Sequence, residues 1–287
     1  MHLGYVEIGD IRVDAIDGGA IWMDGGAIFG VVPKPLWTKG TPADDENRVR
    51  LSFFSLLVRT GDATVVIEGG SAAHQNAIVR AYHKADEPRL VSTLATLGVE
   101  PCDVDFFIPS HLHFDHVGGV STADSKSLIF PSAKHVFERR EWDEARNPVP
   151  INRNAYLPGD IAPLESADIL LVDKSAQVTP RVRVDWTGGH SFGHQMITVS
   201  PATGPSLIFV GDIVPTSEHV SPRWMCAFDT DPVLTYDVKA EILTRAATEG
   251  TMIAPGHGGQ RPILTVTRDT KGRFIPQRVD SIAPMPQ

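Results

Sequence analysis

The sequence predicts an α/β protein, and three observations lead there. Short apolar or β-branched runs, such as Phe106-Phe107-Ile108, Ser206-Leu207-Ile208-Phe209-Val210 and Thr251-Met252-Ile253-Ala254, read as strands that end in glycine or polar residues. Between them lie stretches whose apolar residues recur at the three-to-four spacing of a helix. At 287 residues and 42% hydrophobic, the chain can bury a large core as one domain over residues 1–287, and it shows no linker, low-complexity stretch or strong internal repeat.

Taken in order, the first strand is expected near residues 5–16, where Val6, Ile8, Ile11, Val13 and Ile16 fall roughly in alternation. Residues 20–40 are apolar, rich in glycine and carry Trp22 and Trp37, which suits either a flap over an apolar substrate or packing against the sandwich or a dimer partner. Strands follow near 51–58 and 64–68. Helices are expected at 74–84 and 89–97, the second with Leu90, Leu94 and Leu97 on one face and Gly98 as its stop. Residues 236–248 form an amphipathic pattern with Val238, Ile242, Leu243 and Ala246 inward, and 263–279 reads as a hairpin turning at Lys271-Gly272.

The feature that speaks to function is the run His111-Leu112-His113-Phe114-Asp115-His116. It follows the Phe106-Phe107-Ile108 strand and precedes Val117-Gly118-Gly119, which puts it on a strand-to-helix loop, where sites are commonly built. Side chains two apart on an extended backbone point the same way, so His111 and His113 can grip one ion while Asp115 and His116 face a second position. Crowded together without a cation, these groups would repel on protonation and cost desolvation on burial. Imidazole with carboxylate suits zinc, manganese, iron or cobalt rather than calcium or magnesium. Further ligand types stand just past later strands: His190 after Thr187-Gly188-Gly189, Asp212 after Phe209-Val210-Gly211, and His257 after Ala254-Pro255-Gly256.

With these residues in place, the chain resembles the metallo-β-lactamase superfamily over most of its length. The order His-x-His-x-Asp-His, then His, Asp and His on later strand ends, is that family's pattern, and all seven positions are filled. The resemblance implies an αββα sandwich of two mixed β-sheets flanked by helices. It implies two divalent metal ions, zinc first, with His111, His113 and His190 on one and Asp115, His116 and His257 on the other. Asp212 would bridge them, and His194 would stand behind the ligands. The family's strand before the first helix ends in Asp-x-Gly; here it reads Ile67-Glu68-Gly69-Gly70, which makes the longer Glu68 the candidate partner of a ligand histidine. Within the superfamily the chain looks most like the N-acyl-homoserine lactonases and related broad-specificity esterases and phosphotriesterases. Those lactonases carry a tyrosine three residues beyond the bridging aspartate, where this chain has Pro215; its role would pass to Glu218, His219 or Tyr156, or be absent.

The implied reaction is hydrolysis of a lactone or other ester of an apolar small molecule by a metal-bound hydroxide, since metal binding brings the pKa of water to about 7. Asp115 would orient the nucleophile or carry its proton, and Asp212 would fix the spacing of the ions. Trp22, Phe29, Trp37, His219, Trp224 and Phe228 are the expected substrate pocket. The alternatives are an organophosphate hydrolase or thioesterase on the same site and, from another class, a mononuclear iron sulfur dioxygenase. Gly189-His190-Ser191-Phe192-Gly193 matches the G-x-S-x-G elbow of serine esterases, but that motif needs a following helix, and Gln195-Met196-Ile197-Thr198-Val199 reads as a strand.

A formal charge of −9 and the lack of any Lys/Arg cluster argue against nucleic acid as a partner. Cys102 and Cys226 provide no disulfide framework, the N-terminus lacks a basic-then-apolar leader, and no apolar run is long enough to span a bilayer. A cytoplasmic enzyme of small molecules, with a homodimer as one use for residues 20–40, is the expectation.

Overall fold

The computed structural model describes residues 1–72, 77–259 and 262–279. Its strands alternate apolar residues on both faces, a pattern that forces each sheet to be covered twice. In β3 (Arg48–Arg59) and β4 (Thr64–Ile67), Leu56, Val58, Val65 and Ile67 point one way and Leu57 and Val66 the other. The first set packs against the second sheet; the other set meets helices.

The first sheet runs in chain order: β1 (His2–Ile8), β2 (Ile11–Asp24), β3, β4, β5 (Phe106–Ile108), β6 (Lys134–Glu138) and β7 (Asp168–Val172). Pairing is antiparallel from β1 to β4 and parallel from β4 to β7. The second sheet holds β8 (Ser175–Thr179), β9 (Val182–Trp186), β10 (Gln195–Val199), β11 (Leu207–Gly211), β12 (Met252–Pro255), β13 (Leu264–Arg268) and β14 (Phe274–Arg278), with β11 and β12 parallel and the rest antiparallel. The central core lies between the sheets, where Phe54, Leu56, Val65 and Ile108 meet Val184, Ile197, Leu207 and Phe209. The expected αββα sandwich is therefore present.

Of the helices, α1 (Gly25–Phe29) and α2 (Lys34–Trp37) follow β2, and α3 (Ala77–Tyr82) precedes α4 (Leu90–Thr96). Next come α5 (Phe114–Val117), α6 (Arg139–Arg146), α7 (Pro158–Leu164) and the long α8 (Pro232–Glu249). Leu90 and Leu94 of α4, Trp142 of α6 and Ile161 of α7 cover the outer face of the first sheet with Leu57, Val66 and Phe107. Ile242, Leu243 and Ala246 of α8 cover Ile208, Val210 and Ile253 of the second.

Two expectations change and two are narrowed. The strand at 5–16 is a hairpin of β1 and β2, because Gly9 takes a left-handed φ of 59° and turns the chain. The helix at 236–248 starts earlier, at Pro232, where Asp231 caps it by accepting from the Val233 and Leu234 amides at 3.1 and 3.0 Å. Of the helix at 74–84, the described part is Ala77–Tyr82, and residues 74–76 lie outside the described residues. Of the uses open to residues 20–40, packing against the sandwich is the one the structure shows for Phe29 and Trp37. Phe29 and Trp37 stack at 4.8 Å inside a cluster with Ile21, Val49, Leu51 and Phe53 of this same chain. The strand at 106–108 and the 263–279 hairpin stand as read.

Candidate metal centre

All seven expected ligand residues meet at one edge of the sandwich, past the ends of β5, β9, β11 and β12. The loop after β5 delivers His111 and His113, and the short α5 that follows delivers Asp115 and His116. The β9–β10 loop delivers His190, the end of β11 Asp212, and the end of β12 His257. Gly211 has a left-handed φ of 50°, and a Cβ there would lie 2.5 Å from His194 Nε2, so only glycine lets Asp212 turn into the site.

The donor atoms fall into three overlapping groups: His111, His113 and His190; His111, His116 and Asp212; and Asp115, His116 and His257. His111 Nε2 lies 2.9 Å from His113 Nδ1, which lies 3.3 Å from His190 Nε2. Nitrogens around one tetrahedral ion with bonds of 2.0–2.1 Å sit roughly 3.3 Å apart, so this triad has the spacing of a ligand set. On the other side Asp115 Oδ2 is 3.9 Å from His116 Nε2 and 3.8 Å from His257 Nε2. Asp212 stands between: Oδ2 is 3.4 Å from both His190 Nε2 and His116 Nε2, and Oδ1 is 3.4 Å from His257 Nε2. His116 Nε2 and Asp212 Oδ1 are buried and form no hydrogen bond. Buried polar atoms of this kind normally have a partner, and a cation among these donors would supply it. The residues therefore fit metal.

The electrostatics agree. Burial pushes the imidazoles of His111 and His113 well below the ordinary histidine range, and neighbouring histidines add to the shift, which leaves both rings neutral with free lone pairs. Burial opposes ionisation of Asp212, but His257 and His116 outweigh it and hold the carboxylate well below its usual pKa. Burial likewise opposes charge on His116, yet Glu68, Asp212 and Asp115 raise it well above the histidine norm.

Behind the donors, the rings of His111, His116, His190 and His257 are each oriented by a fixed partner. Glu68 Oε2 sits 2.9 Å from His116 Nδ1 while its Oε1 accepts from the Ser110 amide at 2.6 Å. Glu68 has a left-handed φ of 67°, rare for a non-glycine, so the longer side chain comes with a strained backbone at the strand end. The other partners were not read from sequence. His190 Nδ1 pairs with Asp229 Oδ1 at 2.8 Å, and His257 Nδ1 with the Ser52 carbonyl at 2.9 Å. His111 Nδ1 pairs with Ser110 Oγ at 2.9 Å. His194 is no donor to the site: its Nε2 accepts from the Asp212 amide at 3.1 Å and its Nδ1 faces the Thr187 hydroxyl at 2.6 Å. Asp229 lies 17 positions after Asp212 in a loop without strand or glycine signal, so only the tertiary fold reveals it.

A cavity of about 330 Å³ opens onto His113, Asp115, His190, Asp212 and His257. Of the expected pocket residues, Phe228 lines it; Trp22, Phe29, Trp37, His219 and Trp224 do not. Phe29 and Trp37 are core, and Trp224 meets Phe29 edge-on at 6.0 Å. Trp22 carries the Lys84 ammonium 5.3 Å over its ring. His219 is buried, stacked on Phe29 at 4.9 Å and bound to the Ile28 carbonyl at 3.0 Å; burial and then Lys239 push its pKa down to about 3. The wall is built instead by Met23, Ile28, Leu51, Phe114 and Ile151. Pro215 lines the cavity where the lactonase tyrosine was sought, and none of Glu218, His219 and Tyr156 lines it. Tyr156 donates to Glu141 at 3.0 Å, and Ser191 donates to the same carboxylate at 2.6 Å and is followed by strand β10, which leaves no serine nucleophile here.

A second cavity, about 730 Å³, adjoins the first, and the two share His83, Phe114 and Asn154 as lining. Its far wall is mainly apolar, with Leu157, Pro158 and Ile161.

The comparisons with known proteins agree with this geometry. The family model described as the metallo-beta-lactamase superfamily matches residues 52–257. The N-acyl homoserine lactonase AttM of Azorhizobium caulinodans is 26% identical over 238 residues, which cover 76% of this chain and 85% of that protein. A solved structure described as a probable metal-dependent hydrolase from Staphylococcus aureus superposes with a TM-score of 0.88 at 28% identity, covering 96% of this chain and 99% of that one. AidC, a dizinc quorum-quenching lactonase solved with a product, shares the fold at a TM-score of 0.81 and 18% identity, over 97% and 98% of the two chains. Relatives named as lactonases and hydrolases bear out the expectation of a hydrolase. With its fold, its edge of converging histidines and aspartates, and a family match over most of its length, the chain belongs to the metallo-beta-lactamase superfamily.

Proposed function

We propose that this chain is a dinuclear metal-dependent hydrolase of a lactone or other ester of an apolar small molecule. The observation that carries the reading is the convergence of seven ligand-type side chains into three overlapping groups, with Asp212 3.4 Å from His190, His116 and His257 and buried donor atoms left unpaired. His111, His113 and His190 would hold one ion, Asp115, His116 and His257 the other, and Asp212 both; zinc suits the nitrogen-rich set, with manganese, iron or cobalt also compatible. Divalent ions in these positions supply Lewis acidity and activate water near neutral pH.

The chain's own residues do the rest. Asp212 sets the separation of the two groups. Asp115 lines the cavity and is the one ligand carboxylate on the α5 side, placed to orient a water and to take its proton. Glu68, Asp229 and the Ser52 carbonyl hold the rings so that the donors need not reorganise during reaction. The scissile carbonyl enters the smaller cavity, against Ile28 and Phe228, and the apolar substituent passes Phe114 into the larger one. The unpaired Cys102 and Cys226 suit a reducing cytoplasm, and no described helix is long and apolar enough to cross a membrane.

The test pairs metal content per chain with hydrolysis of a long-chain acyl-homoserine lactone, an aryl ester and an aryl phosphotriester, before and after chelation. Two ions with chelator-sensitive lactone or ester hydrolysis support the proposal. Phosphotriester turnover alone moves the reading to an organophosphate hydrolase, and one iron with no hydrolysis moves it to a sulfur dioxygenase.

A further inference from the structure

We infer that Glu141 is a positioning residue that locks the three-histidine half of the centre, and that half alone, an inference that rests on the dinuclear reading. Glu141 lies in the first turn of α6 with 1% of its surface exposed, yet its carboxylate meets no cation among the described residues. It is instead saturated by four donors. Oε1 accepts from the Leu112 amide at 2.9 Å and the Tyr156 hydroxyl at 3.0 Å; Oε2 accepts from the Ser191 hydroxyl at 2.6 Å and the Gly193 amide at 3.1 Å.

The chain positions of those donors give the role. Leu112 lies between His111 and His113, and Ser191 directly follows His190. One carboxylate thus joins the loop after β5 in the first sheet to the loop after β9 in the second, at the residues that flank all three ligands of one group. Tyr156 adds a wall, its ring 5.0 Å edge-on from that of His113. Gly193 permits the approach, because a Cβ there would lie 2.1 Å from the Glu141 amide nitrogen. The serine and second glycine of the G-x-S-x-G run are thereby explained: they dock Glu141 rather than carry out chemistry. The other half has separate supports, Glu68 for His116 and the Ser52 carbonyl for His257.

A carboxylate is specifically required, since it offers acceptors to all four donors, whereas the amide of glutamine turns an NH2 toward the N–H of Leu112 or Gly193. The Glu141→Gln protein should therefore keep part of the clamp and Glu141→Ala none of it.

The experiment strips metal from the full chain, returns zinc alone and reads the dissociation constants of both equivalents by competition with a chromophoric chelator. Thermal unfolding of the metal-free proteins runs alongside. In Glu141→Ala one equivalent should weaken by about 10- to 100-fold while the other changes little. Glu141→Gln and Ser191→Ala should shift the same equivalent less. In a His190→Ala background, where the three-histidine group is already broken, Glu141→Ala should leave the remaining equivalent unchanged. Equal weakening of both equivalents, no weakening of either, or an effect that persists in the His190→Ala background overturns the inference with the dinuclear reading intact. If Glu141→Ala does not fold, the Gln and Ser191→Ala proteins decide by the same criterion. A wild-type chain that binds a single zinc overturns the dinuclear reading and this inference with it.

Discussion

Leu157 offers a sharp check on where the substrate's apolar part goes. It lines the larger cavity and is also the N-cap of α7, where its side chain makes no capping hydrogen bond. Burying a methylene gives about 0.8 kcal/mol, and a wall open on one side realises roughly half to all of it. Each methylene added to an acyl chain should then raise kcat/KM by about two- to fourfold until the cavity is filled. Leu157→Asp places a carboxylate on that wall, so a long chain loses its gain and desolvates a charge, a penalty of about 1–3 kcal/mol or roughly 5- to 150-fold in kcat/KM. A short-chain ester that stops short of Phe114 should react as before. The same change should raise stability by about 0.5–1 kcal/mol, because aspartate is a preferred N-cap. The assay is kcat/KM across a series of acyl chain lengths for both proteins, with a melting curve for each. A flat series in the wild type, or an unchanged slope in Leu157→Asp with its Tm intact, refutes this path for the substrate.

Three further outcomes are expected. Asp229→Ala, which leaves His190 Nδ1 without its 2.8 Å partner, should lower the affinity for one metal equivalent by about 10- to 100-fold, read by chelator competition; unchanged affinity refutes the orienting role. His113→Ala or Asp212→Ala should abolish hydrolysis, and full activity in a metal-depleted Asp212→Ala protein refutes the two-metal mechanism. Asp14, buried and bonded by Arg12 at 2.8 Å and Arg59 at 2.6 Å, tests the first sheet independently of the centre. Burial raises its pKa but the two guanidinium partners win and hold it below the ordinary value of 3.8. Its contribution is therefore present above that value and lost as pH falls through the lowered one. Asp14→Ala should cost about 2–4 kcal/mol near neutral pH, and the gap to wild type should narrow below about pH 4 in urea titrations.

The parts of the molecule legible from sequence share a physical cause. Ligands set two apart on one loop, or placed beside glycine at a strand end, are local patterns, so His111 through His116, His190, Asp212 and His257 could be read in advance. The α/β class came through because apolar strands and helices of three-to-four spacing leave strong local marks, whereas the two-sheet sandwich was implied only by the family resemblance that the ligand pattern carries. What stayed hidden depends on contacts between distant segments. Asp229 and Glu141 sit on a loop and a helix with no pattern of their own, and they matter only because the fold brings them to His190, Leu112 and Ser191. Phe228 lines the cavity as expected, whereas aromatic residues at 20–40 serve equally well as core, and Phe29 and Trp37 have their partners in β2 and β3. The missed turn at Gly9-Asp10 reflects an alternation that runs on through both arms of a hairpin when each arm faces the same core.

The ligands come from both sheets, and this has a consequence for how the protein matures. Residues 111–116 can fold with the first sheet, but the remaining donors arrive at positions 190, 212 and 257, up to 146 residues later in synthesis. The three-histidine group waits for His190 and Asp212, and the other group stays incomplete until β12 has paired beside β11 and brought in His257. A chain emerging from the ribosome thus has little grip on a metal until the second sheet has been made far enough to bring in residues 190 and 212, and holds the whole centre only once residue 257 has joined and the two halves have closed on each other. Loading becomes a late step that rewards completed folding, and a bound ion would then act as a rivet across the seam, slowing the reopening of the sheets at that edge.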